Sequence, residues 1–539
     1  MQIKNLAVNL SDDRALIEIA AKHLKISPRK IANIRILRKA IDARRRNGSE
    51  IKFIYNLDVV LIDDRQIDDK VNNINYSAFR IPNSELNPVV VGFGPAGMFA
   101  ALTLAKAGFN PIVYERGADV DTRQAKVNRF FLDGTLDTNS NVQFGEGGAG
   151  TFSDGKLTTR LNDELMADII ETFIEAGAPE DIRYLQKPHI GTDKLRMVVK
   201  NIREKIIALG GKVFFNAQIT DIECKNNSVN AVIVNNDQRI ETNSLFLAIG
   251  HSARDTYEML INRGIEMESK AFAIGVRIEH PQEFIDKSQY GVDFNNPKLP
   301  SADYFLTFNP NNNSEFHIPN SALKRGAYTF CMCPGGQVVA AASEAGGIVT
   351  NGMSNYKRDS GIANAAVLAA VSPADFVNFG HDELCGMRFQ RYYESLAFEL
   401  GGKNYQAPVQ TVGDFLNSRK GSTQFLTTPT YPIGFKAIDL HECLPNFVTN
   451  TLEAALRSFD RKIKGFAGND VVMTGIETRT SAPCRILRNK EEYQSINIKG
   501  LYPIGEGSGY SGGIMSSALD GMKVANRWLN DNNILLEEN

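Results

Sequence analysis

The sequence predicts an α/β protein built on a doubly wound parallel sheet, with an inserted mixed β-sheet/α domain and a small amino-terminal α+β domain. Three observations predict it. A strand–glycine turn–helix–strand unit runs from Pro88 to Gly117, a short apolar strand ends in Ala248-Ile249-Gly250, and the tail from Gly500 to Trp528 returns to a glycine-rich bend and a helix. Between the last two, from about Lys270, strand-like stretches outnumber long helices, which is the texture of an inserted antiparallel sheet.

The first unit carries the sharpest chemistry. Val89-Val90-Val91 is an apolar β-branched run, Gly92-Phe93-Gly94-Pro95-Ala96-Gly97 spells GxGxxG, and Met98 to Ala107 lacks any helix breaker. Pro111 to Tyr114 is the next strand and closes on Glu115-Arg116. Gly92 permits the tight turn, Gly94 lets the backbone approach a pyrophosphate, and Gly97 lets helix and strand pack closely. The free N–H groups of the first helical turn, which opens on Pro95 and Ala96, then face the phosphates. Glu115, about 20 residues further on, is placed to accept hydrogen bonds from ribose hydroxyls. The string alone is weak: Gly145-Gly147-Gly150 and Gly507-Gly509-Gly512 also fit it, yet neither follows an apolar strand. A Rossmann-like dinucleotide site is therefore expected at the first unit.

The 539 residues suffice for several domains, divided here as 1–85, 86–269, 270–485 and 486–539. A net charge of −2 gives no global attraction to nucleic acid or membrane. The six cysteines have no framework spacing and the seven histidines do not cluster, so a reducing compartment is expected and no metal site. The amino terminus lacks an apolar signal-like stretch, and the uncharged windows at Leu86–Ala105 and Gly326–Ser343 are interrupted by glycine and proline. A cytoplasmic protein without a membrane span is expected.

Within residues 1–85, Gln2 to Val8 reads as a strand, Ser11 as the N-cap of a helix through Leu24, and Ile31–Ala43 with Lys52–Leu61 as paired strands turning at Asn47-Gly48. Eight basic residues fall between Arg29 and Arg46. A solvated strand face is the preferred reading, with a nucleic-acid surface at 29–46 as the alternative; no aromatic residue interleaves the run. Asp119–Phe131, Asp163–Gly177 and Thr192–Leu209 read as helices, Lys212–Ile219 as a strand leading into a hairpin over Ile222–Val234. The intervening GEGGAGTFSDGKL, Gly145 to Leu157, is dense enough in small residues to lie against a flat or phosphorylated ligand, through Gly148, Ala149, Gly150, Thr151, Ser153 and Lys156. In the insert, Ala273–Glu279, Tyr304–Phe308, Ala327–Cys333 and Gln337–Ala342 read as strands, Met387–Leu400 and Thr451–Lys464 as helices.

On the strings GFGPAGMFAAL, FGEGGAGTFSDGKL, ETRTSAPCRI and IGEGSGYSGGI, the chain resembles the two-dinucleotide-binding-fold FAD-dependent oxidoreductases over roughly residues 86–530. Within them it is most similar to the poorly characterised bacterial FAD-dependent dehydrogenases with an amino-terminal α/β domain. The resemblance implies that Gly92, Gly94 and Gly97 hold the FAD pyrophosphate, Glu115 the adenosine ribose, and the backbone of Ile219 the adenine. It matches Ala248-Ile249-Gly250 to the family's Ala-Thr-Gly strand, with Ile replacing Thr. Gly505 and Glu506 match the pair that reaches the ribityl and pyrophosphate region, and the helix starting near Gly513-Ile514 aims its amino terminus at the flavin. FAD is favoured over NAD because distant segments are available to enclose it, and no second strand–GxGxxG–helix–strand unit exists for a resident pyridine nucleotide. NADH or NADPH would dock transiently.

Candidate groups beside the flavin are Arg479, Arg485, Lys156 and Cys484, with Glu477 and His251; either arginine suits a substrate carboxylate or phosphate. Cys331-Met332-Cys333 is read as two small core residues of a buried sheet, a redox pair being the alternative. The reading is an FAD-dependent oxidoreductase acting on an unidentified small molecule. An RNA-linked flavoprotein using the basic amino-terminal module, and a non-catalytic flavoprotein with structural FAD, are the alternatives.

Overall fold

The computed structural model describes residues 1–44, 50–62, 87–310 and 325–532. Its centre is a five-stranded sheet in the order Leu501–Pro503, Leu245–Leu247, Val89–Val91, Ile112–Tyr114, Lys212–Phe214, with every neighbour parallel. Val89, Val90 and Val91 are all buried, as in a central strand covered on both faces, so the run is apolar throughout rather than alternating. The helix Pro95–Lys106 starts on a proline, whose fixed φ suits the first helical position, and returns the chain to Ile112–Tyr114. The carboxy-terminal helix Ile514–Asp531 lies against it closely enough that a Cβ on Gly521 would meet Ala96 O at 2.1 Å. Trp528 is fully buried, edge-on to Phe109 and Phe246.

The segment expected as one strand from Lys212 to Ile219 is two. Asn216 adopts a left-handed φ of 52°, which ends Lys212–Phe214 and lets Ile219–Lys225 begin a separate antiparallel sheet with Ser228–Val234 and Gln238–Glu241.

The insert is built on a seven-stranded sheet in the order Thr307–Phe308, Ala327–Cys333, Ile362–Val371, Phe272–Pro281, Val472–Glu477, Ala407–Thr411, Phe435–Ala437. All pairs are antiparallel except the last. The strand expected over Gln337–Ala342 is Gly336–Ala340, and it pairs with Thr350–Ser354 as a separate ribbon rather than in this sheet. Only Thr307 and Phe308 of the expected Tyr304–Phe308 strand are paired. Helices Cys385–Gly401 and Asn446–Lys462 contribute Phe389, Leu452 and Phe459 to the core of this unit.

In the amino-terminal module Gln2–Asn9, Lys52–Leu61 and Ile31–Asp42 form an antiparallel sheet, with Lys52–Leu61 in the middle. Its helix is shorter than expected, Leu16–Leu24, and Ser11 is not its cap: Ala15 holds that place, and Ser11 N–H donates to Glu50 Oε1. The expected Asn47-Gly48 turn lies outside the described residues. The basic run is partly used: Arg35 pairs with Asp58, Arg44 with Asp42, and half-buried Lys39 sits 4.7 Å over the Phe53 ring. Lys39 also exchanges backbone bonds with Tyr184 and Gln186, which docks the module on the rest of the chain.

Among the described residues no helix is long and apolar enough to cross a membrane. One buried hydroxyl ties two remote turns together. Tyr257 donates to Gly507 O at 2.7 Å, 3.3 Å from Gly250 O. Tyr257→Phe leaves a buried carbonyl without its donor, a loss of about 1–3 kcal/mol. The expected outcome is a lower thermal melting midpoint; an unchanged midpoint contradicts the role.

Candidate functional site

A single cavity of about 520 Å³ runs across the carboxyl ends of Val89–Val91 and Leu245–Leu247 and reaches the insert's sheet. Open parallel sheets bind ligands at this end. Close backbone approaches shape its floor. Gly92 has φ +90°, and a Cβ there would strike Ala248 O at 2.3 Å; one on Gly97 would strike Gly92 O at 2.0 Å. A Cβ on Gly148 would lie 3.0 Å from Gly94 Cα, so two glycines from remote loops face one another. The first-turn N–H groups of Pro95–Lys106 have no intrahelical acceptor.

The loop Asn141–Gly148 is pinned by a residue that the sequence did not flag. Arg123 is fully buried and donates to the carbonyls of Asn141 (2.8 Å), Val142 (3.0 Å), Gly145 (3.3 Å) and Glu146 (2.7 Å). Burial pulls its pKa down to about 10, which leaves it cationic at neutral pH. Its only sequence signal is its place on a helix one turn beyond the N-cap Asp119. Glu115 joins this loop to the first glycine turn: its carboxylate accepts from the N–H groups of Phe93 (2.7 Å), Gly117 (2.9 Å) and Gly145 (2.9 Å). A carboxylate has about four acceptor sites, so three are spent on the protein and one remains for a ligand hydroxyl.

Of the residues expected to hold the cofactor, all but Gly97 and Thr151 line this cavity. Gly97 lies behind the turn, against Gly92 O and Ala248. Thr151 points into the protein, its hydroxyl 3.3 Å from Glu146 O and its carbonyl accepting from Thr192. Both therefore shape the floor from behind without lining the cavity.

The catalytic candidates divide. Lys156, Arg479, Glu477 and His251 line the cavity; Arg485 and Cys484 do not. Cys484 is buried where Met267–Ser269 pairs with Cys484–Ile486, and burial drives its thiol strongly upward. Arg485 faces outward and pairs with Glu268 at 2.8 Å. Arg479 is not free to clamp a substrate: it holds Glu394 through Nε (3.1 Å) and Nη2 (2.8 Å) and bonds Ser343 Oγ. Arg254 grips the same carboxylate from the other side at 2.7 and 2.8 Å. Burial and these two arginines hold the His251 pKa down to about 3, so its imidazole is neutral, with Nδ1 2.9 Å from Ser252 Oγ. Glu477 is spent on Arg277, whose Nη2 lies 3.2 Å from Glu477 Oε1.

Cys331 and Cys333 do not share one strand face as expected. The pairing of Ala327–Cys333 with Ile362–Val371 shifts between Phe330 and Cys333, and Cys331 takes a left-handed φ of 40°. Arg277 Nη1 holds the Cys331 carbonyl at 2.9 Å, and Cys333 Sγ donates to it at 3.2 Å. The bulge turns Cys331 out of the core to the cavity wall, while Cys333 stays buried. Enclosure lifts the Cys331 thiol to about 12, so it stays protonated.

Residues 271–480 match the family model described as FAD-dependent protein, C-terminal domain-like, and residues 1–60 match a domain of unknown function. Among solved structures, L-proline dehydrogenase from P. horikoshii is similar at 12% identity, over 84% of this chain and 95% of that one, with a TM-score of 0.36. A geranylgeranyl bacteriochlorophyll reductase-like protein from Thermoplasma acidophilum is similar at 11% identity, over 83% and 79%, with a TM-score of 0.35. CtdE in complex with FAD is similar at 11% identity, over 84% and 87%, with a TM-score of 0.31. The donor-lined glycine floor fits a bound pyrophosphate, and the protein is an FAD-dependent flavoprotein. It belongs to the family of an uncharacterised protein of Clostridium beijerinckii, 50% identical over 534 residues, 97% of this chain and 98% of that one.

Glu506 faces the same cavity, and burial pushes its pKa up to about 7 against the pull of Lys270. The folded protein holds this proton where the unfolded chain, titrating near 4.5, has released it. Stability of the FAD-free protein therefore falls as pH rises from about 4.5 to 7. Glu279, buried in the insert's sheet and also near 7, adds to the same trend. Thermal melts across that window should show a smaller loss for Glu506→Gln than for wild type. Equal losses in the two proteins contradict the shift.

Proposed function

We propose that this flavoprotein oxidoreductase exchanges a hydride or an electron pair with a small substrate bound at the insert end of the cavity. The observation that carries the reading is continuity. One cavity is lined by the first glycine turn, the Gly148–Gly150 loop, the Gly505-Glu506 bend and the bulge at Cys331. When bound, FAD supplies the redox chemistry.

In this reading the chain's own residues orient and tune. Gly92, Gly94 and the first turn at Pro95-Ala96 receive the pyrophosphate, and the last acceptor site of Glu115 takes a ribose hydroxyl beside Arg116. The Ile219 backbone borders the adenine, Ala248-Ile249-Gly250 closes the floor, and Glu506 accepts a ribityl hydroxyl. The helix Ile514–Asp531 turns its amino terminus, with Gly513 as N-cap, toward the flavin end, where its partial positive charge favours an anionic reduced state. Neutral His251 is suited to hydrogen bonding at this wall and not to charge compensation. NADH or NADPH would approach transiently from the open side. The division into residues 1–85, 86–269, 270–485 and 486–539 fits these roles, with the cavity between the second and third.

Purified protein should be yellow, with bands near ~375 and ~450 nm, and should release FAD on denaturation. Gly97→Val drives side-chain atoms into Gly92 O, since even a Cβ there would lie at 2.0 Å. The expected outcome is near-complete loss of bound flavin with the circular dichroism of a folded chain. Full flavin content in that variant contradicts the placement of the pyrophosphate.

A further inference from the structure

The charge balance at the insert end of the cavity narrows the class of substrate. Lys156 follows the small-residue loop, and its ammonium bonds Met332 O and, at 2.9 Å, Asp154 Oδ2. Asp154 is also gripped by Arg358, Nε to Oδ1 at 2.9 Å and Nη2 to Oδ2 at 2.6 Å. One buried carboxylate thus answers two cations. Burial alone would lower the Lys156 pKa, but Asp154 outweighs it and holds the amine protonated. Nearby His189 accepts no charge at neutral pH, because burial and Arg358 lower its pKa. One positive charge is left over, and Lys156 presents it on the cavity wall. Its third N–H has no acceptor among the described residues.

The other charges at this end cancel. Glu477 is paired with Arg277, and Asp303 with Lys187 at 2.6 Å. Arg479 belongs to a cluster in which Arg254, Arg391 and Arg479 face Glu258, Glu344 and Glu394.

Apolar surface lies beside the surplus charge. Thr307 is paired with Tyr328, and just beyond this pair Thr329 N–H donates to Leu306 O at 2.8 Å, so Phe305 and Phe330 both stand at the end of this pairing. Both rings line the cavity, and Phe305 is 62% exposed, a large apolar side chain left mostly uncovered among the described residues.

We propose that this end of the cavity binds a carboxylate-bearing substrate with an apolar, ring-sized body. Lys156 fixes the carboxylate, and Phe305 and Phe330 flank the body. The proposal rests on the flavin reading above. An uncompensated cation in an enclosed wall gains most from a desolvated anion, and a lysine ammonium binds it as a point charge.

The test titrates the FAD-loaded full chain with benzoate, benzamide and benzylamine, read by the shift of the flavin absorption band and by calorimetry. Benzoate should bind at least roughly tenfold more tightly than benzamide, and benzylamine should not compete with it. Lys156→Met should weaken benzoate by a similar factor while Lys156→Arg keeps it. Equal binding of benzamide, binding of benzylamine, failure of all three, or benzoate binding undiminished in Lys156→Met overturns the proposal. If Lys156→Met does not fold, the comparison of the three ligands on wild type decides. A purified chain without flavin contradicts the flavin reading, whereas a flavin-loaded chain indifferent to benzoate contradicts only this inference.

Discussion

Close approach of backbone to backbone, possible only where no Cβ intervenes, sets the shape of the whole site. Gly92 and Gly97 let the first turn sit against Ala248, Gly94 faces Gly148, and Gly117 lies so near Gly145 that a Cβ would fall 2.5 Å from its Cα. These contacts join segments far apart in the chain and leave a floor made of peptide groups. Such a floor offers N–H donors at short range and no side chain to block a ligand's phosphates. The carboxy-terminal helix is held to the same standard by Gly521 under Ala96.

Buried charge then fixes what the glycines leave loose. Arg123 spends its guanidinium on loop carbonyls, and Arg254, Arg479 and Glu394 link the start of one helix, the middle of another and the strand end at Thr478. Desolvating such groups is costly, and removing one partner leaves another charge buried without compensation. A network of this kind resists small shifts of the insert relative to the nucleotide-binding sheet. It also explains why Arg479 is unavailable to a substrate, while Lys156, sharing Asp154 with Arg358, is not fully spent.

The glycine turn, Glu115 and the carboxy-terminal return were legible because their chemistry is local: each depends on residue types at fixed spacing. Ile362–Val371 was not, although it pairs with both Phe272–Pro281 and Ala327–Cys333 inside the insert's sheet. Its sequence, IANAAVLAAV, is rich in alanine, which favours helix, and only burial on both faces makes it a strand. Arg123 was illegible because its role lies in carbonyls brought together by loop geometry. The bulge at Cys331 was hidden for a similar reason: its left-handed residue is held by Arg277, which lies 54 positions away in the chain. Arg485 and Cys484 looked attractive as residue types, and it is strand pairing at Met267–Ser269 that takes them off the cavity.

Closure of remote segments around one cofactor is read out by amide hydrogen exchange with and without FAD. Adding FAD to the cofactor-free protein should raise protection together at 92–97, 145–150 and 505–514, at one common FAD concentration. Protection confined to the first of these segments, with the carboxy-terminal bend unchanged, would contradict the account.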